Sequence, residues 1–139
     1  MAKVKAAADP YAVFNEDQIQ AALFLAYAKR GIGGSVMLFA IPNGRKRDVI
    51  TATLLKREGV KKGAIDMIAV VEGAVYFIEI KTLAGERRKK QIEFHRDLTA
   101  AGGHVYTLYG YMEAVTFLED IGVLRRPVIR GDHVQPIAV

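Results

Sequence analysis

Asp66, Glu79 and Lys81 are the residues of this sequence whose types and spacing invite chemistry. They sit in two short runs, IDMIAVV and AVYFIEIK, that are otherwise aliphatic or aromatic, the make-up of strands with a buried face. A two-residue turn at Glu72–Gly73, with Gly73 free to take a positive φ, would join the runs into a hairpin and set Asp66 opposite Glu79. The β-carbons of such a pair lie about 5 Å apart, and like charges so placed destabilise a sheet unless something positive sits between them. A divalent cation would resolve the conflict. Alternation puts Lys81 on the Glu79 face and turns Ile78 and Ile80 the other way, while Ile68, Val70, Val75 and Phe77 leave the rest of the charged face apolar. The simpler alternative is a pair of solvated strand-end carboxylates with Lys81 as salt-bridge partner. Spacing alone leaves both readings open.

The elements that must position these groups are legible around them. Asn15, followed by Glu16, Asp17 and Gln18, resembles a capping box, and Ile19, Leu23 and Tyr27 recur at helical spacing; the pattern predicts a helix over 15–30 closed by Gly31. Glu16 continues the apolar stripe and is expected to point inward, although a first-turn acid also serves the helix dipole alone. SVMLFAI reads as a strand ending at Pro42, Asn43 and Gly44, and a helix over 46–58 ends at Gly59. A basic helix over 86–101, a strand at HVYTLY and a helix at EAVTFLEDIG follow the hairpin. The order α-β-α-β-β-α-β-α predicts an α/β fold with a mixed sheet flanked by helices. It reads as a single domain over 1–139, with a core over about 15–122, a loose tail at 1–8 and an uncertain C-terminal extension at 123–139.

Composition narrows the classes. The chain has 139 residues, is 51% hydrophobic and 25% charged, and contains no cysteine, which removes disulfides, thiolate metal sites and cysteine nucleophiles. No apolar run approaches the roughly 18 residues of a membrane span, so a cytoplasmic protein is expected. The formal charge of +5 favours a polyanionic partner without naming it.

Taken together, these residues resemble the PD-(D/E)XK nuclease superfamily, whose core is restriction-endonuclease-like, and specifically its virus-type replication-repair branch, VRR-Nuc. The matching positions are Gly63, Ala64, Ile65 and Asp66, then Glu79, Ile80 and Lys81; around them stand Glu16, the IPNG of 41–44, LLKREGVKKG, and Gln91 with Phe94 and Leu98. Ile65 stands where the signature often has proline and Phe94 where tryptophan is usual, departures that touch backbone shape and packing rather than chemistry. The resemblance covers about 16–110 and implies a magnesium-dependent DNA nuclease, with manganese as substitute. In that reading Asp66, Glu79 and the carbonyl of Ile80 hold the metal, and Glu16 holds a second metal or a metal-bound water. Magnesium suits so few protein ligands, because it takes oxygen donors and keeps several waters. Lys81 would orient the attacking water or stabilise developing charge. Gln91 would stand near the metal centre, as the family places a glutamine there. His95, one turn further on, reads as a general base or, more simply, as a helix-surface histidine, and Tyr106 as core.

Basic residues that would track DNA phosphates are Arg45, Lys46, Arg47, Arg57, Lys61, Lys62, Arg87 and Arg88; IPNG would set Asn43 and Arg45 beside the substrate backbone, although a turn after a strand is the simpler account. Nothing in the sequence reads base edges, so structure-selective or weakly selective cutting is expected, and some related proteins of the family act on branched DNA such as four-way junctions. A single domain cutting two strands would do so as a symmetric homodimer, with Leu23, Phe24 or the final helix at its interface, in the host cytoplasm if the gene is viral. The rivals are a catalytically silent nucleic-acid-binding module and a nuclease subunit that takes its specificity from a partner.

Overall fold

The computed structural model describes residues 11–42, 49–61, 63, 65–130 and 133–135. Ten elements follow one another: α1 (Glu16–Arg30), β1 (Val36–Ala40), α2 (Val49–Arg57), β2 (Met67–Val71), β3 (Ala74–Lys81), α3 (Lys89–Ala100), β4 (His104–Tyr109), α4 (Tyr111–Asp120), β5 (Val128–Arg130) and β6 (His133–Gln135). The first eight reproduce the α-β-α-β-β-α-β-α order. The expected tail at 1–8, and Asn43, Arg45, Lys46, Arg47, Lys62 and Ala64, lie outside the described residues.

Four strands form a mixed sheet in the order β1-β2-β3-β4, antiparallel except for the parallel β3–β4 pair. The parallel pair follows from its connection, because α3 is the crossover that a parallel neighbour requires. The β2–β3 hairpin turns on Glu72 (φ 48°) and Gly73 (φ 87°), the two positive values that a tight hairpin turn demands, and its ladder runs from Val71–Ala74 to Met67–Ile78. That register is the one a two-residue turn predicts.

Helix α1 starts as its sequence suggests. The Asn15 side chain accepts the Gln18 N–H at 2.8 Å, the Gln18 side chain accepts the Asn15 N–H at 2.9 Å, and Gly31 closes the helix. Ile19, Leu23 and Ala26 of α1 then pack with Met67 and Ala69, Ile78 and Ile80, and Ala114, Val115 and Leu118 of α4. An ion pair at 2.6 Å between Arg30 and Glu119 joins the two helices beside this core. Helix α3 covers the opposite face of β3, the face that carries Glu79.

The packed core runs to Leu124: Val123 and Leu124 are fully buried, and Gly31 pairs with Leu124. The stretch beyond adds a small antiparallel hairpin, β5–β6. One expectation needs correction: Leu23, named for a dimer interface, is wholly buried in the core and has no surface to offer a second copy.

Candidate functional site

The site is built at the C-terminal end of β3, where the hairpin ladder breaks. Beyond Met67–Ile78, the Asp66 N–H binds the Ile78 carbonyl at 3.0 Å, and the Asp66 carboxylate reaches across to accept the Ile80 N–H at 2.7 Å through Oδ2. Asp66 is therefore held against β3 by its own side chain as well as by its N–H. The Gly110 N–H binds the Lys81 carbonyl on the β4 side at 2.8 Å, so strand alternation aims the Ile80 carbonyl the other way, toward Asp66.

Glu79 is 0% exposed and Lys81 3% exposed. A charged pair so deep must find partners. Gln91, on the first turn of α3, donates through Nε2 to Glu79 Oε1, while its own Oε1 accepts the Arg88 N–H at 2.8 Å. His95, one turn on and 5% exposed, lies with Nε2 3.1 Å from Glu79 Oε2. Each carboxylate oxygen thus has a fixed neighbour. Lys81 Nζ stands 4.0 Å from Glu79 Oε1 and 3.8 Å from Glu16 Oε2, distances of ion pairing rather than hydrogen bonding.

The electrostatics follow from burial. Desolvation, then the neighbouring Asp66 charge, pushes Glu79 up to about 8 against the opposing pull of Lys81. Burial also raises Asp66, although the Ile80 N–H favours its anion. His95 is lowered by burial and by Arg87 and Lys81, which keeps the ring neutral near pH 7. Arg87 can only donate, so the Nδ1 that faces it at 3.5 Å, with Thr107 Oγ1 at 3.4 Å, carries the lone pair, and the neutral ring presents Nε2–H to Glu79 Oε2.

The fold gathers Asp66, Glu79, Lys81, Gln91 and the Ile80 backbone. Glu16 differs from expectation. Its side chain is 47% exposed and leans to Lys81 only, and among the described residues no group of three or more His, Asp or Glu side chains converges as metal ligands. Glu16 opens the helix one turn before the buried Ile19, at the exposed end of the element. His95 is the residue most underrated by sequence: it is buried on the carboxylate rather than set on the helix surface, and its spacing of four from Gln91 was the available signal. Tyr106 packs against Tyr76 and Phe117, as a core residue does.

Arg87 and Arg88 lead directly into the turn of α3 that carries Gln91, and both are exposed; Arg57 and Lys61 are exposed as well. Gly63 (φ 80°) lies so close to α3 that a β-carbon there would meet the Lys90 carbonyl and sit 2.7 Å from the Gln91 amide nitrogen. That contact docks Gly63 beside the site.

No family model matches the chain, and neither does any curated protein. Among solved structures, the chain is similar to a "VRR_NUC domain protein", at a TM-score of 0.62 and 20% identity over 78% of this chain and 88% of that one. The likeness establishes a shared fold, the restriction-endonuclease-like mixed sheet flanked by helices. Among the described residues no helix is long and apolar enough to cross a membrane.

Proposed function

We propose that this chain is a metal-dependent deoxyribonuclease that hydrolyses phosphodiester bonds at the Asp66–Glu79–Lys81 cluster. The observation that carries the reading is a fully buried Glu79 with Lys81 and Asp66 at its side, on a fold shared with a protein named for a VRR_NUC domain. A structural ion pair has no need of two carboxylates whose proximity opposes their joint ionisation, whereas a cation site does.

The donors suit magnesium: two carboxylates and a main-chain carbonyl, all hard oxygens, with the remaining positions left to water and substrate. Asp66, Glu79 and the carbonyl of Ile80 would hold it, and it would supply an activated water and charge stabilisation at the phosphate. The chain's own groups do the rest. The Ile80 N–H fixes the Asp66 carboxylate, and Gln91 and His95 fix that of Glu79. Lys81, anchored between Glu79 and Glu16, presents an ammonium to the charge that develops on the phosphoryl oxygens. Glu16, more exposed, would hold a water or a second cation at the entrance. Arg57, Lys61, Arg87 and Arg88 attract the DNA backbone.

Nothing in the described site reads base edges, which favours a substrate chosen by shape, such as branched or junction DNA. Cutting two strands would engage a symmetric dimer, with Phe24 and the exposed Met112 of α4 as candidate contacts now that Leu23 is excluded. The test is cleavage of labelled linear duplex, single-stranded, flap and four-way-junction DNA with magnesium, manganese or EDTA. Cutting that needs a metal and prefers a branched form supports the reading; tight DNA binding with no cutting in either metal would favour a silent binding module or a missing partner.

A further inference from the structure

Behind Glu79, on the far side of the His95 ring, a groove of about 550 Å³ runs between α3 and β4. Among the described residues β4 is the last strand of the sheet, so the groove lies along the sheet edge. Its volume lies in the range of ligand sites. Arg87 and Arg96 line it, Thr99 and Thr107 supply hydroxyls, and among the described residues no carboxylate lines it. Both guanidinium groups have capacity to spare. Among the described residues, Arg87 spends at most one of its five N–H donors on His95 Nδ1, and Arg96 meets only Asp97, at 3.8 Å between two exposed side chains. Ile92, 44% exposed, Val105 and Tyr109 give it apolar lining.

Resting on the nuclease reading, we propose that this groove binds a nucleoside phosphate, the unit of the strand adjacent to the one cut. Arg87 and Arg96 take the phosphate, with Thr99 and Thr107 as further donors, and the sugar and base lie on Ile92 and Tyr109. The chemistry fits in both parts. Paired guanidinium groups are the preferred partners of phosphate oxygens, and an aromatic ring with an exposed aliphatic neighbour offers a stacking surface indifferent to base identity. The place fits as well, since only the imidazole of His95 separates Arg87 from the Glu79 carboxylate.

The test is a binding titration in EDTA, so that its outcome is independent of whether the chain cuts DNA. The isotope-labelled chain is titrated with thymidine, inorganic phosphate, thymidine 5′-monophosphate and the dinucleotide TpT, following the signals of Thr99, Thr107 and His95. The monophosphate or the dinucleotide should shift these signals while thymidine does not, the stronger of the two showing whether a terminal or an internal phosphate is preferred. Arg96→Gln, an exposed position, should weaken that binding about tenfold or more, the worth of a charge-assisted contact. Equal binding of inorganic phosphate would reduce the groove to a plain anion site and overturn the nucleotide assignment. Equal binding of thymidine, or unmoved Thr99, Thr107 and His95 signals with every probe, would overturn the proposal outright. Metal-dependent cleavage that persists alongside a silent groove would leave the nuclease reading standing.

Discussion

Replacing Glu79 by glutamine should stabilise the metal-free protein, by an amount that grows with pH. In the folded chain Glu79 titrates near 8, against 4.5 for an unburied glutamate. The folded state therefore holds the proton more tightly than the unfolded one, and the contribution is fully present below pH 4.5 and lost as pH rises through 8. Each tenfold difference in proton affinity is worth about 1.4 kcal/mol, so the full loss is on the order of 5 kcal/mol, of which about 3 kcal/mol falls between pH 5 and pH 8. Glu79→Gln keeps the shape, removes the titration, and leaves one amide group poorly matched to Gln91 or His95 at a pH-independent cost of about 1 kcal/mol. Asp66 and His95 titrate in both proteins and largely cancel in the difference. The assay is urea unfolding in EDTA at pH 5, 6, 7 and 8. The stability difference, variant minus wild type, should rise across this range by roughly 3 kcal/mol. With magnesium the order should reverse at pH 8, because the cation stabilises ionised Glu79 and gives glutamine little. A difference that stays flat with pH in EDTA would refute the claim that burial of this carboxylate is held in reserve for a cation.

Further outcomes follow from the same geometry. Gly63→Ala forces a side chain into positive φ and against the first turn of α3; thermal unfolding should show a loss of about 1–2 kcal/mol, and cleavage should fall with it as Gln91 is displaced. His95→Ala should lower magnesium affinity about 10- to 100-fold, measured by calorimetry, because the group that fixes Glu79 Oε2 is gone. Affinity for duplex DNA in EDTA should fall with salt at a log–log slope near −5 if about six phosphates are neutralised, read by fluorescence anisotropy.

Much of this was written in local chemistry. Gly73 fixes the turn, the turn fixes the register, and the register brings Asp66 to the level of Glu79; Asn15 and Gln18 fix where α1 begins. What escaped the sequence depends on which face of an element the tertiary structure covers. In α3 the aliphatic Ile92 is 44% exposed while His95 is buried, because the surface beneath the helix is the Glu79 carboxylate and not hydrocarbon. Hydrophobic patterning would turn that helix the wrong way. The reach of the Asp66 carboxylate to the Ile80 N–H, and the return of Val123 and Leu124 to the core, are contacts between distant segments that no local spacing encodes.

The most direct test of the central claim is single-turnover cleavage of a four-way junction by wild type and by Lys81→Ala at matched magnesium occupancy. The ammonium is expected to act on developing charge, so the variant should bind metal and DNA nearly as well and cut about 100- to 1,000-fold more slowly. Equal rates in the two proteins, or no cutting by wild type in magnesium or manganese on any of the DNA forms, would contradict the assignment of this cluster as a nuclease centre.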